Sequence, residues 1–534
     1  MVKHNVAWLN DAIFYQLYPQ SFYDSNGDGI GDIPGIIAKL DYIKSLGCNA
    51  VWINPWYVSP FQDAGYDVAD YYKVAPRYGT NADARRLFAV AKKKGLRIVL
   101  DLVPGHTSVE HPWFKESCRH QKNQYSDWYI WTNSIWNNGD GKLRTVSGYA
   151  ERFGQYVTNF FYSQPALNFG FANPDSKHPW QQLPTAPGPK AVRDEIIKIM
   201  RFWLAMGASG FRVDMASSLI KNDDSKQSAM IRFWNEVRPV ISREFPEAAL
   251  ISEWSNPVQS LSTGFDIDFL IHFGPSGPAF ESLSRQDTDS FFHPAGKGDI
   301  TTFMKYYLPV LRKTRGQGFI SIPSGNHDVA RLNNQNLSAR DLEIAFAFLL
   351  TMPGVPFIYY GDEIGMRYIA KMPSKEGAYN RTGARTPMQW SSGRNAGFST
   401  APVQKIYLPI DPQTDRPNVA QQERADDSLL NCVRSLTQFR QANPALQAAA
   451  GFQPLYYRQK AYPLIYLRRC QQQTLVIALN PSSKSVGATV SARGLTGDWQ
   501  LKKGNGVTVR RTGRNWQLKL APVSYSIFQV APAG

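Results

Sequence analysis

What the chain has little of narrows it first. Its four cysteines, Cys48, Cys118, Cys432 and Cys470, are scattered without a CxxC pair, so neither a zinc knuckle nor a disulfide scaffold is indicated and buried thiols are expected. No apolar run is long enough to span a bilayer, and no tract is of low complexity. With 43% hydrophobic and 19% charged residues, a soluble globular protein with a large core is expected. The opening "MVKHNVAWLNDA" lacks a long apolar stretch and a small-residue cleavage site, so the chain as it stands shows no secretory signal and leaves cytoplasm and periplasm open. Basic clusters are missing too. The formal charge is +16, yet the densest stretches, "AKKKGLR" (91–97) and "VRRTGR" (509–514), are short. A solubilising charge is expected, with no nucleic-acid or membrane partner. Oligomeric state is not readable.

What is present is an alternation. Short β-rich runs and amphipathic helical stretches succeed one another from about residue 12 to about 360, the pattern of parallel βα units. Eight runs read as strands: "IFYQLY", "AVWINP", "RIVLDLV", "GFRVDM", "LISEW", "DIDFLI", "FISIPS" and "PFIYYG". Helices such as "IPGIIAKLDYIKSLG" and "AVRDEIIKIMRFWLAMG" lie between them, each ending in glycine. Eight such units predict a closed α/β barrel of the (β/α)8, or TIM, type. The gap after the third strand is rich in Trp, Tyr, Asn and Pro and too long for one crossover helix, so it reads as an inserted irregular subdomain. Past about residue 450, short alternating strands between Gly, Ser and Asn turns predict a small all-β domain. The expected units are a catalytic barrel over 1–103 and 170–450, an inserted subdomain over 104–169, and a C-terminal β-sandwich over 451–534.

Active sites of such barrels lie at the C-terminal strand ends. Asp101, Asp214, Glu253 and Asp328 all fall there, and burying four carboxylates is costly unless they are paired or used. Arg212 and Asp214, two apart on a strand, share one face, so the guanidinium can keep Asp214 ionised, as a nucleophile requires. Glu253 beside Trp254 sits in an apolar stretch that would raise its pKa and let it hold a proton. An ionised carboxylate facing a protonated one is the equipment of glycoside hydrolysis, retaining if they stand ~5–5.5 Å apart. Tyr66, Trp113, Trp128, Trp131 and Trp136 are candidates for stacking on sugar faces. His106 and His327 flank the same strand ends and could donate to hydroxyls.

"DSNGDGIGD" (24–32) poses a separate question. Asp24, Asn26, Asp28 and Gly29 match the opening of an EF-hand loop, but position twelve is Gly35 instead of Glu, and the preceding "IFYQLYPQSFY" is strand-like. A stand-alone calcium sensor is disfavoured; a structural ion site and an ion-free Asx-rich turn both remain.

"GYDVADY" (65–71), "DLVPGHTS" (101–108), "GFRVDMA" (210–216), "ISEW" (251–254), "SGNHD" (324–328) and "ARTPMQW" (384–390) occur in the order found in glycoside hydrolase family 13, the α-amylase family, which the chain resembles over nearly its whole length. The resemblance implies Asp214 as nucleophile, Glu253 as acid and then base, and Asp328 as stabiliser of the distorted sugar. Arg212 would orient the nucleophile, His106 and His327 would hydrogen-bond the sugar, and Tyr66 would stack on it. Within the family the chain is most similar to the oligo-1,6-glucosidase, α-glucosidase and trehalose synthase group, whose pocket is closed behind the terminal glucose by an Asp and an Arg, here mapped to Asp67 and Arg381. This implies a retaining, exo-acting α-glucosidase on short α-glucosides with transglucosylation capacity; a dedicated transglucosylase or trehalose synthase-like mutase is the alternative. A non-catalytic partner subunit is disfavoured by the intact carboxylates. No catalytic cofactor is implied. In this group the 24–32 loop often holds calcium, with Asp24, Asn26, Asp28 and Asp32 giving side-chain oxygens and Ile30 its carbonyl. The chain departs from the group at Gly105, where Asn commonly precedes the His, at Ala166 and Phe169 in "QPALNF", and at Met215 after the nucleophile, which leaves linkage specificity open.

Overall fold

The eight β-branched and aromatic runs become eight parallel strands: β1 (Phe14–Leu17), β2 (Ala50–Ile53), β3 (Arg97–Leu102), β4 (Gly210–Val213), β5 (Ala249–Ser252), β6 (Ile267–Phe269), β7 (Phe319–Ser321) and β8 (Phe357–Tyr359). This computed structural model describes residues 6–531; residues 1–5 and 532–534, at the outer ends of the first and last expected units, lie outside the described residues. The strands pair in the order β7-β6-β5-β4-β3-β2-β1-β8, and a parallel bridge from Pro323 to Phe357 joins the two edges. The expected (β/α)8 barrel is therefore the fold.

Strand parity decides what goes where. Phe14, Ala50, Trp52, Val99, Ile251, Ile267, Phe269 and Phe357 pack together inside the barrel, with Phe14 stacked on Phe357 at 4.3 Å and Trp52 on Phe269 at 5.6 Å. Their neighbours Tyr15, Val51, Leu100, Phe211 and Val213 join the core beneath the helices. Because side chains alternate along a strand, Asp101 shares the inward face of Val99, and Arg212 that of Gly210.

The helices α1 (Asn81–Lys93), α2 (Pro187–Met206), α3 (Ser228–Glu244), α4 (Ile300–Thr314), α5 (Ala339–Thr351) and α6 (Leu429–Ala442) surround the strands. Reciprocal bonds of Thr80 with Asp83 and of Ser338 with Asp341 start α1 and α5, the capping-box solution to unpaired first-turn N–H groups. The helix expected over "IPGIIAKLDYIKSLG" is instead two short ones, Ile33–Ala38 and Leu40–Ser45. The break falls at Lys39, whose ammonium lies 4.3 Å from the centroids of both Tyr23 and Trp390. Between β3 and α2 the chain is largely irregular, with the pair Thr145–Val146 and Tyr156–Val157 as a short ladder.

After residue 450 six strands form one antiparallel sheet. Leu464, Tyr466, Leu475, Ile477, Tyr525 and Ile527 belong to the barrel's core, whereas Ile465, Leu467, Val476, Trp516 and Leu518 form a second apolar cluster on the opposite face. This region is where the positive charge concentrates: it has twelve Lys and Arg and one acidic side chain, Asp498, a less even distribution than the short basic runs imply. Among the described residues no helix is long and apolar enough to cross a membrane.

Candidate active site

At the C-terminal mouth of the barrel lies a cavity of about 530 Å³, within the range of small-molecule sites. Asp214, Glu253, Asp328, Tyr66, His106, His327 and Arg381 all line it, joined by Asp63, Met215, His272, Phe160, Phe161, Phe273 and Tyr379.

Arg212 organises the floor. Its Nη1 donates to Asp101 Oδ1 at 2.7 Å and Asp214 Oδ1 at 2.9 Å, and its Nη2 stands 2.6 Å from Glu253 Oε1. The guanidinium also lies 5.1 Å from the Trp52 ring centroid. Asp101 is completed by Trp52 Nε1 at 3.0 Å and the Tyr66 hydroxyl at 3.1 Å; it is a buried partner of Arg212 and does not line the cavity. Three carboxylates thus share one cation in a site where burial disfavours charge. Burial raises all three against the pull of Arg212: Asp101 to about 6, Asp214 to about 7 and Glu253 to about 8. The ranking puts a shared proton on Glu253 first.

Asp328 is held in the opposite sense. Although burial would raise it, His327, Arg381 and Arg385 keep it well below the usual carboxylate range, with Arg381 Nη1 at 2.7 Å and Arg385 Nη2 at 3.1 Å from its Oδ1. Arg385, from "ARTPMQW", was not expected among the site residues; its pairing across the barrel is not visible in local spacing.

The two histidines are neutral, burial pushing His327 far below its ordinary range and His106 to about 4. His327 Nδ1 faces two amide donors, Gln16 Nε2 at 3.1 Å and Asn54 Nδ2 at 3.2 Å, so its Nε2 carries the hydrogen, 3.1 Å from Asp328 Oδ2 and 2.7 Å from the Tyr66 hydroxyl. The Tyr66 ring is stacked on His327 at 5.2 Å.

The structure corrects one expected residue. Asp67 does not face Arg381: it is fully buried, and its carboxylate accepts from Ser59 Oγ (2.9 Å), Gln62 N (2.8 Å) and Asp63 N (3.0 Å). Phe61 and Ala64 in this turn have φ of +61° and +48°, a conformation that needs outside support in non-glycine residues, and Asp67 provides it. The carboxylate that reaches the cavity is Asp63, with Oδ1 3.6 Å from Arg381 Nη2 and Oδ2 accepting from Gln164 Nε2 at 2.8 Å. Burial raises Asp63 to about 7 against Arg381 and Arg385.

The aromatic candidates divide similarly. Trp113 and Trp128 pack on each other at 4.8 Å, Trp131 is stacked on Phe114 at 5.8 Å, and Trp136 is 84% exposed; none lines the cavity. Phe160, Phe161, Phe273 and Tyr379 form its outer wall instead. Met215 there has φ of +43°, a strained backbone beside the nucleophile candidate, and its N–H donates to Glu253 Oε2 at 2.9 Å.

In the 24–32 loop, Asp24 Oδ1 accepts from Asn26 N and Gly27 N, its Oδ2 accepts from Gly29 N, Asn26 Oδ1 from Asp28 N, and Asp28 Oδ1 from Ile30 N. Asp32 binds Ser25 and caps the next helix through Gly35 N. Ser399 Oγ, 2.5 Å from Asp24 Oδ2, ties the loop to the segment after "ARTPMQW".

Residues 16–449 match the family model for the α-amylase catalytic domain. The chain is 31% identical to the trehalose synthase/amylase TreS of Mycobacterium tuberculosis over 504 residues, covering 84% of this chain and 77% of that protein. It is also 31% identical to the oligo-1,6-glucosidase of Parageobacillus thermoglucosidasius, with 90% and 91% covered. Among solved structures, the α-glucosyl transfer enzyme XgtA superposes with a TM-score of 0.79 at 26% identity, covering 98% of this chain and 99% of that one.

Proposed function

The chain belongs to the α-amylase family, and from that footing we propose that it is a retaining, exo-acting α-glucosidase that also transfers glucosyl groups to sugar hydroxyls. The observation that carries the reading is the arrangement around Arg212, whose Nη1 holds Asp214 and whose Nη2 holds Glu253, with burial raising Glu253 above Asp214 so that the first proton falls to the glutamate. Asp214 attacks the anomeric carbon while Glu253 protonates the departing oxygen. The glucosyl ester on Asp214 is then opened by water or a sugar hydroxyl whose proton returns to Glu253. Asp328, anchored by Arg381 and Arg385, accepts from ring hydroxyls and opposes the positive charge that develops at the anomeric carbon. Asp63 and Arg381, replacing the expected Asp67 and Arg381, close the pocket behind the terminal glucose and support exo-action.

Transfer is a second outcome of the same intermediate, favoured by the apolar outer wall of Phe160, Phe161, Met215 and Phe273, which limits the water reaching the ester. The names of the trehalose synthase and glucosyl transfer relatives point the same way. We also infer a structural calcium at Asp24, Asn26, Asp28, Asp32 and the Ile30 carbonyl. These are oxygen donors of the hard kind that calcium takes; their side-chain oxygens accept from the loop's own N–H groups in this structure, and an ion would draw them together and fasten the first barrel loop.

Product analysis by NMR on maltose, isomaltose, kojibiose, nigerose, sucrose and trehalose tests the enzymatic reading. The expected result is α-glucose as the first anomer released from the non-reducing end, with transfer products at high substrate. Release of β-glucose, or internal cuts in long maltooligosaccharides, would overturn it.

A further inference from the structure

We propose that Asn159 and Lys221 are positioning residues for His106: together they fix which nitrogen of its ring carries the proton, and so hold the imidazole in place at the cavity wall through its N–H bond to the Tyr66 carbonyl.

His106 is 2% exposed and lines the cavity. Its Nδ1 stands 3.1 Å from Asn159 Nδ2, and its Nε2 stands 3.1 Å from the carbonyl oxygen of Tyr66. An amide nitrogen only donates and a carbonyl only accepts, so the ring hydrogen resides on Nε2. That assignment holds while the Asn159 amide keeps its orientation. A flip would present the amide oxygen to Nδ1 and move the ring hydrogen there, leaving Nε2 bare against a carbonyl.

Lys221 prevents the flip. Its ammonium is 3.2 Å from Asn159 Oδ1 and donates to the Ser218 carbonyl at 2.7 Å. An ammonium has no acceptor capacity, so it tolerates the amide oxygen and rejects the amide NH2. The backbone of Asn159 is pinned as well, its N–H donating to Gln164 O at 3.0 Å and its carbonyl accepting from Arg144 Nη2 at 2.9 Å. Among the described residues Lys221 has no counter-ion, and burial, with the like charge of Arg144, lowers it to about 8. An ammonium half-buried without a carboxylate is costly, and what it contacts here is the amide behind His106.

Gly105 completes the arrangement. A Cβ at residue 105 would lie 2.6 Å from Asn159 Nδ2, so the amide occupies the space that a side chain at 105 would need. Gly105 and Asn159 are two halves of one feature, the absent side chain admitting the amide that reaches in from the inserted segment.

The kinetic consequence rests on the glucose-pocket reading above; the ring protonation does not. The test is long-range 1H–15N NMR of the full-length chain labelled at histidine, with His106 assigned by its loss in His106→Gln. Wild type at neutral pH is expected to show His106 as the neutral form with hydrogen on Nε2. Lys221→Met should shift it toward the other tautomer and lower kcat/KM about tenfold, mostly through KM, and Lys221→Arg should restore both. Asn159→Asp, which puts an acceptor against Nδ1, should move the hydrogen to Nδ1 or make the ring an imidazolium, and it serves as the second variant should Lys221→Met not fold. The proposal is overturned if the His106 signals are unchanged in Lys221→Met and Asn159→Asp, or if Lys221→Arg fails as badly as Lys221→Met at equal thermal stability. A wild type without glucosidase activity would sink the functional reading and leave the NMR test standing.

Discussion

Two aspartates four residues apart, Asp63 and Asp67, should fail in different ways when altered. Asp67 has no reach into the cavity and supports a turn that contains two non-glycine residues at positive φ. In Asp67→Ala the amides of Gln62 and Asp63 lose their acceptors in a buried place, and each orphaned donor costs about 1–3 kcal/mol. The sum, about 4 kcal/mol, is a large share of the stability of a typical domain. Asp67→Ala should therefore lower Tm by several degrees and reduce activity only as far as the turn misplaces Asp63. Asp63→Asn keeps the shape and the contact to Gln164 but removes the charge facing Arg381 and the incoming sugar. One lost hydrogen bond to a charged group is worth about 1.5–3 kcal/mol. At the upper end that is roughly a hundredfold loss in kcat/KM, with Tm nearly unchanged. The assay pairs thermal unfolding with kinetics on a disaccharide. If Asp67→Ala loses kcat/KM at unchanged Tm while Asp63→Asn stays within about threefold of wild type, the reassignment from Asp67 to Asp63 is wrong.

Three further outcomes are expected. The pH profile of kcat/KM should be a bell, because activity is lost on the acid side as Asp214, raised by burial to about 7, takes a proton, and on the alkaline side as Glu253, raised to about 8, loses one. These limbs belong to the coupled cluster around Arg212, and a rate flat from about pH 5 to 9 would contradict the assignment of acid and nucleophile. Glu253→Gln should nearly abolish turnover of disaccharides yet form the glucosyl-enzyme from 4-nitrophenyl α-glucoside, whose leaving group needs no acid; equal loss of glucosyl-enzyme formation from both substrates would argue against Glu253 as the acid. Chelation should lower Tm without stopping turnover in the cold, since an ion at a hundredfold excess over its Kd contributes about 2.7 kcal/mol to the folded state; turnover lost at unchanged Tm would contradict a purely structural ion.

The barrel was legible because its strands are dense in Val, Ile, Phe and Tyr, and because inward parity places Trp52, Asp101 and Arg212 together without any knowledge of loops. What lies in loops was harder. Asp63 and Asp67 both belong to "FQDAGYD", and only the chain reversal at Phe61 and Ala64 decides which carboxylate turns to the backbone and which to the cavity. The tryptophans of the inserted segment suggested sugar platforms by composition, yet they are consumed in its own packing or left in solvent, while Phe160 and Phe161 reach the cavity wall. Nothing local marks Asn159 either; its signal is indirect, the side chain missing at Gly105.

Sequence placed four carboxylates at strand ends and read Asp214 and Glu253 from their neighbours Arg212 and Trp254, but gave Asp328 its role only through resemblance, and the structure supplies a physical criterion in the number of cations each one faces. Asp101, Asp214 and Glu253 share the single guanidinium of Arg212 and cannot all ionise in a buried site, whereas Asp328 faces two guanidiniums and an imidazole N–H and has every reason to stay charged. Within the crowded trio, Asp101 also accepts from Trp52 and Tyr66, and Asp214 shares Nη1 with Asp101. Glu253 is pushed up by burial and by the facing charges of Asp214 and Asp328 further than Arg212 and the Met215 amide pull it down, and at about 8 it is the highest of the three, so the proton settles there. Adding a cation beside Glu253 should shift the proton to Asp214 and exchange an enzyme primed with acid and nucleophile for one that has neither.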